Sequence, residues 1–120
     1  MTKVVSCGKS GIANVTHFWF YAGQLWIARY EDNLYVSKDN SSFNAFNDVD
    51  GEDIFKGLVI NSYVEGLHNC LYVGTSKGLM EINLTSRKVR KLLDEYVRDI
   101  CFRSDTDLWI GTEQGLYIYN

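Results

Sequence analysis

The residues best suited to bind a ligand lie close together in the first third of the chain. His17, Trp19 and Tyr21 alternate along the segment THFWFY, and Arg29 and Tyr30 follow shortly after it. Alternate side chains of an extended strand point to one face, so the first three would share a face. Aromatic rings and a guanidinium can together bind a sugar or another small polar ligand. We therefore predict that these five residues line a ligand pocket; the alternative is that they pack in the core.

Two other segments resemble binding motifs but do not complete them. The segment CGKSG, residues 7–11, lacks the first glycine of a phosphate-binding P-loop, because Lys3 stands at that position. The acidic segment NDVDGED, residues 47–53, would place Phe46 and Gly57 at the two end positions of an EF-hand loop, where oxygen ligands are required. The sequence therefore favours a turn for the first segment and a solvated loop for the second.

The cysteines and histidines form no complete catalytic set. Cys7, Cys70 and Cys101 are odd in number and widely spaced, which favours reduced structural thiols over disulfides or a zinc site. A pairing of Cys70 with His17 or His68 stays open, although Cys70 precedes a predicted buried strand, where a thiol is usually inert. We therefore expect no enzymatic activity, no metal site and no cofactor.

The composition is that of a globular domain without a strong charge preference. The chain has 120 residues, is 46% hydrophobic and carries a net charge of -3, which suits one domain with its own core. No basic patch indicates nucleic acid or an anionic membrane as a partner. No apolar stretch approaches the roughly 20 residues of a membrane-spanning helix, and the first residues lack a signal-peptide core. We expect a cytoplasmic protein if the chain is complete, and a periplasmic or otherwise extracytoplasmic one if it is part of a longer sensor.

A short pattern that occurs three times determines the predicted fold. LYVGTSKGLMEIN and LWIGTEQGLYIYN are near copies, and LWIARYEDNLYVS is a diverged copy with one extra turn residue. Each has an apolar run, a short turn and a second apolar run, which is the pattern of a β-hairpin. Gly78, Gly115 and, in the diverged copy, Asn33 suit turn positions with a positive φ angle.

Each hairpin is accompanied by further strand candidates. The segments before the three hairpins are Thr16–Tyr21, Val59–Val64 and Arg98–Arg103, and those after the first two are Ser42–Phe46 and Lys88–Leu92. Four strands repeated at intervals of roughly 40 residues are typical of β-propeller blades. The two tryptophans at the second position of a repeat, Trp26 and Trp109, are expected to pack in the core between blades.

The sequence therefore predicts an all-β fold, a β-propeller with three four-stranded blades per chain. Blade 1 spans about residues 14–47, blade 2 about 57–93 and blade 3 about 97–120. The third unit ends one strand short. We expect the N-terminal strand candidate Lys3–Cys7 to complete this last blade, because strand exchange of this kind removes an open sheet edge.

The motif LWIGTxxGLxxY resembles the repeat of the two-component regulator propeller family, which builds the sensor regions of bacterial hybrid histidine kinases. Residues 108–119 match the whole motif, and residues 71–79 match it with Tyr in place of Trp. The first copy departs at Ala28 and Arg29, where the others have Gly-Thr. The resemblance implies a non-enzymatic ligand-sensing or protein-binding module and suggests carbohydrate as the ligand. The alternatives are a lectin-like oligomeric propeller that binds carbohydrate and a purely structural or protein-interaction propeller.

The number of predicted blades has a consequence for assembly. Three blades are fewer than the 4 to about 8 that usually close a ring. We expect a homo-oligomer, most simply a two-fold dimer that closes a six-bladed ring, in which Lys3–Cys7 of one chain completes the last blade of its partner. The alternative is that the chain is part of a longer sensor propeller.

Overall fold

The computed structural model describes residues 14–120, which form eleven antiparallel β-strands. Within that range, no helix has the length and apolar character needed to cross a bilayer. The predicted all-β class is confirmed, whereas the strand candidate Lys3–Cys7 lies outside the described residues. The strands are β1 (Val15–Tyr21), β2 (Gln24–Arg29), β3 (Leu34–Ser37), β4 (Asn44–Ala45), β5 (Ile60–Glu65), β6 (Cys70–Thr75), β7 (Gly78–Asn83), β8 (Val89–Leu93), β9 (Val97–Phe102), β10 (Leu108–Thr112) and β11 (Gly115–Tyr119).

The strands form three sheets in two compact units. The first sheet has the order β1-β2-β3-β4, the second β5-β6-β7-β8 and the third β9-β10-β11. Among the described residues, one unit comprises residues 14–46 together with Asp53–Val59, and contains the first sheet. The other comprises Asn47–Glu52 and Ile60–Asn120, and contains the second and third sheets. The third sheet has three described strands, so its completion by a fourth strand stays a prediction, as do the blade boundaries.

A threonine organises the hairpin turns of the second and third sheets. The Thr75 hydroxyl accepts a hydrogen bond from the Lys77 backbone N–H at 3.1 Å and donates to the Gly78 carbonyl at 2.8 Å. Thr112 repeats this arrangement: its hydroxyl accepts from the Gln114 N–H at 3.0 Å and donates to the Gly115 carbonyl at 2.9 Å. Both glycines have positive φ, 143° and 148°, which side chains rarely tolerate. The threonine and the second glycine of the repeat therefore close the turn, as predicted for Gly78 and Gly115.

The first hairpin turn is built differently, and the prediction for Asn33 is wrong. The positive φ of this turn falls on Glu31, at 47°, because Arg29 stands where the other repeats have threonine and one residue is added. Asn33 is buried. Its amide donates to Asp53 Oδ1 at 2.6 Å, and its Oδ1 accepts from the Leu34 N–H at 2.7 Å. The side chain of Asn33 thus anchors the turn, and its backbone does not make the bend.

Strand β4 is shorter than the predicted strand over residues 42–46. It contains only Asn44–Ala45, because the preceding turn uses the backbone donors that a longer strand would need. The N–H groups of Ser42 and Ser41 donate to the carboxylate of Asp39 at 2.8 and 2.9 Å. These two hydrogen bonds stabilise the charged form and hold the pKa of Asp39 well below its usual range.

The first unit has an aromatic core. Trp26 is 1% exposed and stacks on Trp19, with ring centroids 6.1 Å apart and an interplanar angle of 13°. Phe46 packs on the Trp26 ring at 5.6 Å and on Phe55 at 6.1 Å. The indole N–H of Trp26 donates to the Tyr21 carbonyl at 3.3 Å, which satisfies its one polar atom. The predicted core position of Trp26 is confirmed.

The core of the second unit joins its two sheets. Leu79 of the second sheet clusters with buried aliphatic residues of the third sheet, Val97, Ile100, Leu108 and Ile110. The two sheets approach each other closely at Gly74, where an added Cβ would lie 2.6 Å from Val97 Cγ1. Glycine is therefore required at this position, because no real Cβ is found that close to another carbon.

Alkaline pH is expected to destabilise the second unit through Tyr72. Partial burial and the hydrogen bond and negative charge of Glu81 raise the pKa of Tyr72 well above its ordinary value of 10.0. The folded state binds the phenol proton more tightly than the unfolded state, so this contribution is complete below about pH 10 and is lost as the pH rises further. Urea unfolding measured at neutral and alkaline pH should show a smaller alkaline loss for Tyr72→Phe. Equal losses in both proteins would contradict this assignment.

Candidate functional site

The three alternating residues of β1 lie on one face of that strand, as predicted. His17, Trp19 and Tyr21 are the less exposed side chains of β1, and the residues between them are exposed. Trp19 is buried and stacks on Trp26, which places it in the core. His17 Nδ1 lies 3.3 Å from the Thr16 hydroxyl. Of the three, Trp19 has a structural role that accounts for its position.

Arg29 and Tyr30 lie apart from that face. Arg29 lies on the same side of β2 as Ile27, opposite to the side of Trp26 that faces Trp19. Its guanidinium pairs with Asp32 at 2.7 Å and lies over the Tyr35 ring at 5.8 Å. Tyr30 follows the end of β2 and is exposed. The structure thus does not collect the five candidates around one cavity, and ligand binding by them stays a prediction.

A cleft of about 450 Å³ lies within the second unit. It is formed by the turn between β5 and β6 and the turn between β9 and β10, and it opens to solvent. The residues that line it combine one cation, two carboxylates, a hydroxyl and two apolar side chains around a glycine: Glu65, Gly66, Leu67, Phe102, Arg103, Ser104 and Asp105.

The floor of the cleft is held by close packing. The Phe102 ring contacts the Tyr72 ring edge-on, with centroids 5.7 Å apart. A Cβ on Gly66 would lie 2.5 Å from the Tyr72 ring, so only glycine allows the turn to approach it. Backbone hydrogen bonds from Gly66 to Cys70 at 2.8 Å and from Arg103 to Asp107 at 2.9 Å close the two turns. The cleft is therefore preformed.

The side chains of the cleft suit recognition. Arg103 supplies fixed hydrogen-bond donors, while Glu65 and Asp105 supply acceptors and Phe102 an apolar surface. A ligand rich in hydroxyl groups could use all three kinds of contact. Among residues 14–120, no group of three or more His, Cys, Asp or Glu side chains could hold a metal ion.

The sequence contained a signal for this cleft that the repeat pattern obscured. The connection between β1 and β2 consists of Ala22 and Gly23 alone, whereas residues 66–69 and 103–107 connect the equivalent strands of the other sheets. Longer turns at equivalent positions of a repeat are where binding residues accumulate. The lengths of these turns, compared between repeats, would have indicated the cleft.

The second and third sheets carry a recognised repeat. Residues 91–114 match the family model of the two component regulator propeller. This segment runs from β8 to the hairpin turn after β10, and it contains four of the cleft residues. The resemblance of the LWIGT motif to that family is thereby confirmed.

Solved structures support the same fold. Two crystal structures of the extracellular domain of BT4673 from B. thetaiotaomicron, one titled a putative hybrid two component system and the other a putative one component system, match with TM-scores of 0.66 and 0.70. Their identities to this chain are 20% and 19%, over 81% and 88% of its length. The chain spans only 14% and 15% of those two domains.

A computationally designed protein, Ika4, also matches, with a TM-score of 0.61, 13% identity and coverage of 88% of this chain and 64% of its own. No curated protein matches the chain. Together, the antiparallel sheets and the matched structures define a β-propeller segment. Within this segment, residues 91–114 match the model of the two component regulator propeller.

Proposed function

We propose that the chain is a non-enzymatic ligand-sensing or protein-binding module of an extracytoplasmic sensor propeller. The observation that carries this proposal is the position of the cleft. Phe102, Arg103, Ser104 and Asp105 line it, and all four lie inside residues 91–114, which match the two component regulator propeller. The similar BT4673 domains are described as extracellular parts of putative regulatory systems, which favours the extracytoplasmic location.

The chemistry of the cleft favours a carbohydrate ligand. The ring of Phe102 and the side chain of Leu67 offer apolar surface to the C–H face of a pyranose. Arg103, Glu65 and Asp105 offer donors and acceptors to its hydroxyl groups. A small site of this kind, mostly preformed and with few polar contacts, is typical of ligand recognition.

The floor of the cleft gives a route by which binding would be transmitted. Phe102 belongs to the third sheet and packs on Tyr72 of the second. A ligand that contacts Phe102 would therefore bias the packing between these two sheets. Differential affinity for two packings is what a sensor requires.

Ligand binding is tested with Arg103→Ala. Isothermal titration against a panel of neutral and uronic-acid-containing oligosaccharides should identify a binder, and the substitution should weaken its binding by about tenfold or more, because a charge-assisted hydrogen bond is lost. The matched control is Arg98→Ala, which removes an exposed arginine paired with Glu113 outside the cleft and should leave affinity unchanged. Absence of binding to every sugar, or equal affinity in all three proteins, would contradict the proposal.

Protein binding is the second candidate, favoured by the exposed apolar side chains of β11, Leu116 and Ile118. Association with a second copy, most simply as a two-fold dimer that closes a six-bladed ring, or with further blades of a longer sensor propeller, is part of the proposal. Among the strands of residues 14–120, β11 pairs only with β10, which supports this proposal because open sheet edges pair with other strands.

A further inference from the structure

The outer face of the third sheet is exposed although its composition is that of a core. Leu116 and Ile118 on β11 are 64% and 53% exposed. They are paired with Gly111 and Trp109 of β10, and Trp109 is only half-buried. The prediction that Trp109 packs in the core is therefore confirmed only in part, because no described sheet covers this face.

The equivalent face of the second sheet shows which side chains pack on such a surface. In the repeat, Gly74 corresponds to Gly111 and Tyr72 to Trp109. The third sheet covers both Gly74 and Tyr72 of the second sheet. Val97 lies over Gly74, so that an added Cβ there would be 2.6 Å from its Cγ1, and Phe102 packs on Tyr72. One inter-sheet contact thus consists of a valine on a glycine and an aromatic ring on an aromatic ring.

The first sheet presents the complementary pair. In the first sheet, Val15 is paired with Arg29 and Phe20 with Leu25. At the equivalent positions of the third sheet, Val97 is paired with Thr112 and Phe102 with Leu108. Val15 and Phe20 are therefore the counterparts of Val97 and Phe102. They are 42% and 67% exposed.

We infer that the outer face of the third sheet of one copy receives β1 of a second copy, with Val15 over Gly111 and Phe20 against Trp109. The space is available, since the nearest atom to a Cβ on Gly111 is the Asp99 carbonyl oxygen at 3.6 Å. One chain carries both the receiving and the inserted surface, so the contact is head-to-tail and two such contacts can close a ring. The inference rests on the proposed propeller assembly and specifies its interface.

Two substitutions on opposite sides of this interface test it. Phe20→Asp places a charge in the apolar contact, and Gly111→Ala places a methyl group where Val15 would dock. Sedimentation velocity over a concentration series should show self-association of the full chain, weakened about tenfold or more by each substitution. Val49→Asp is the matched control, because Val49 is comparably exposed but lies in the loop of residues 47–52; it should associate like the unaltered chain. Urea unfolding confirms that each variant is folded.

Mixing the two variants separates this interface from any other. The Phe20→Asp chain keeps an intact receiving face, and the Gly111→Ala chain keeps an intact inserted strand, so the mixture regains one normal contact. The other contact of a mixed ring carries both substitutions, and a contact already broken by one of them loses little more from the second. The mixture should therefore associate more tightly than either variant alone. A chain that stays monomeric at every concentration, association unaffected by both substitutions, or a mixture no tighter than its components would each overturn the inference.

The test also distinguishes this inference from the proposed function. Sugar affinity depends on Arg103 and self-association on Phe20 and Gly111. A monomer that binds sugar through Arg103 would overturn the interface between copies and leave ligand sensing standing. Self-association without sugar binding would overturn ligand sensing and leave the interface between copies standing.

Discussion

Trp26→Ala is expected to lower the free energy of unfolding by about 3–5 kcal/mol, the range found when a buried tryptophan is truncated. The side chain is 1% exposed and touches two other rings, those of Trp19 and Phe46, so its removal leaves a cavity that these rings cannot fill. Urea unfolding followed by far-ultraviolet circular dichroism measures the change without depending on the deleted fluorophore.

Phe20→Ala is the matched control for that measurement. Phe20 belongs to the same sheet and is also aromatic, but it is 67% exposed. At concentrations where the chain is monomeric, truncation at a surface position usually changes stability by no more than about 0.5 kcal/mol. If Trp26→Ala and Phe20→Ala were equally mild, the aromatic cluster would not be the core of the first unit.

Gly74→Ala is expected to destabilise the second unit by about 1–3 kcal/mol, the usual cost of overpacking a close contact. The added methyl group would lie 2.6 Å from Val97 Cγ1 and 3.3 Å from Val97 Cβ. Val97 is fully buried among aliphatic side chains, so it cannot move away without disturbing the contact between the two sheets. Urea unfolding monitored at the tryptophans reports the change.

Gly111→Ala provides the internal comparison, because the same residue stands at the same position of the next repeat. Its added Cβ meets nothing closer than 3.6 Å, and alanine restricts the unfolded chain more than glycine does. The monomer should therefore be as stable as the unaltered chain or slightly more so. Equal destabilisation by both substitutions would show that glycine is required by the strand itself and not by the neighbouring sheet.

The strands were predictable because the repeat includes its own turn chemistry. In the second and third hairpins a threonine and a glycine, Thr75 with Gly78 and Thr112 with Gly115, close the turn locally. The local sequence was therefore sufficient to predict these two hairpins. The prediction was wrong for Asn33, whose side-chain amide donates to Asp53. It made β4 too long, because the Ser42 N–H donates to Asp39. Such contacts are set by the fold of the loops and leave no periodic pattern.

The candidate site was less predictable than the fold. Alternation correctly placed His17, Trp19 and Tyr21 on one face of β1, but it could not tell a core face from a ligand-lined one. The cleft at Arg103 depends on two turns that are far apart in the chain. Contacts between the second and third sheets, such as the packing of Phe102 on Tyr72, bring those turns together, and these contacts are tertiary.

The self-contained turn at Thr75 has a consequence for how a chain of this kind can grow. Its hydrogen bonds involve no residue outside the hairpin, and Thr112 reproduces them in the next repeat. A gene segment that encodes one hairpin can therefore be duplicated or deleted as a block without leaving unsatisfied backbone groups in its turn. Selection then has to adjust only the contact surface between successive sheets. A glycine at the position of Gly74 already leaves room for the side chains of the next sheet.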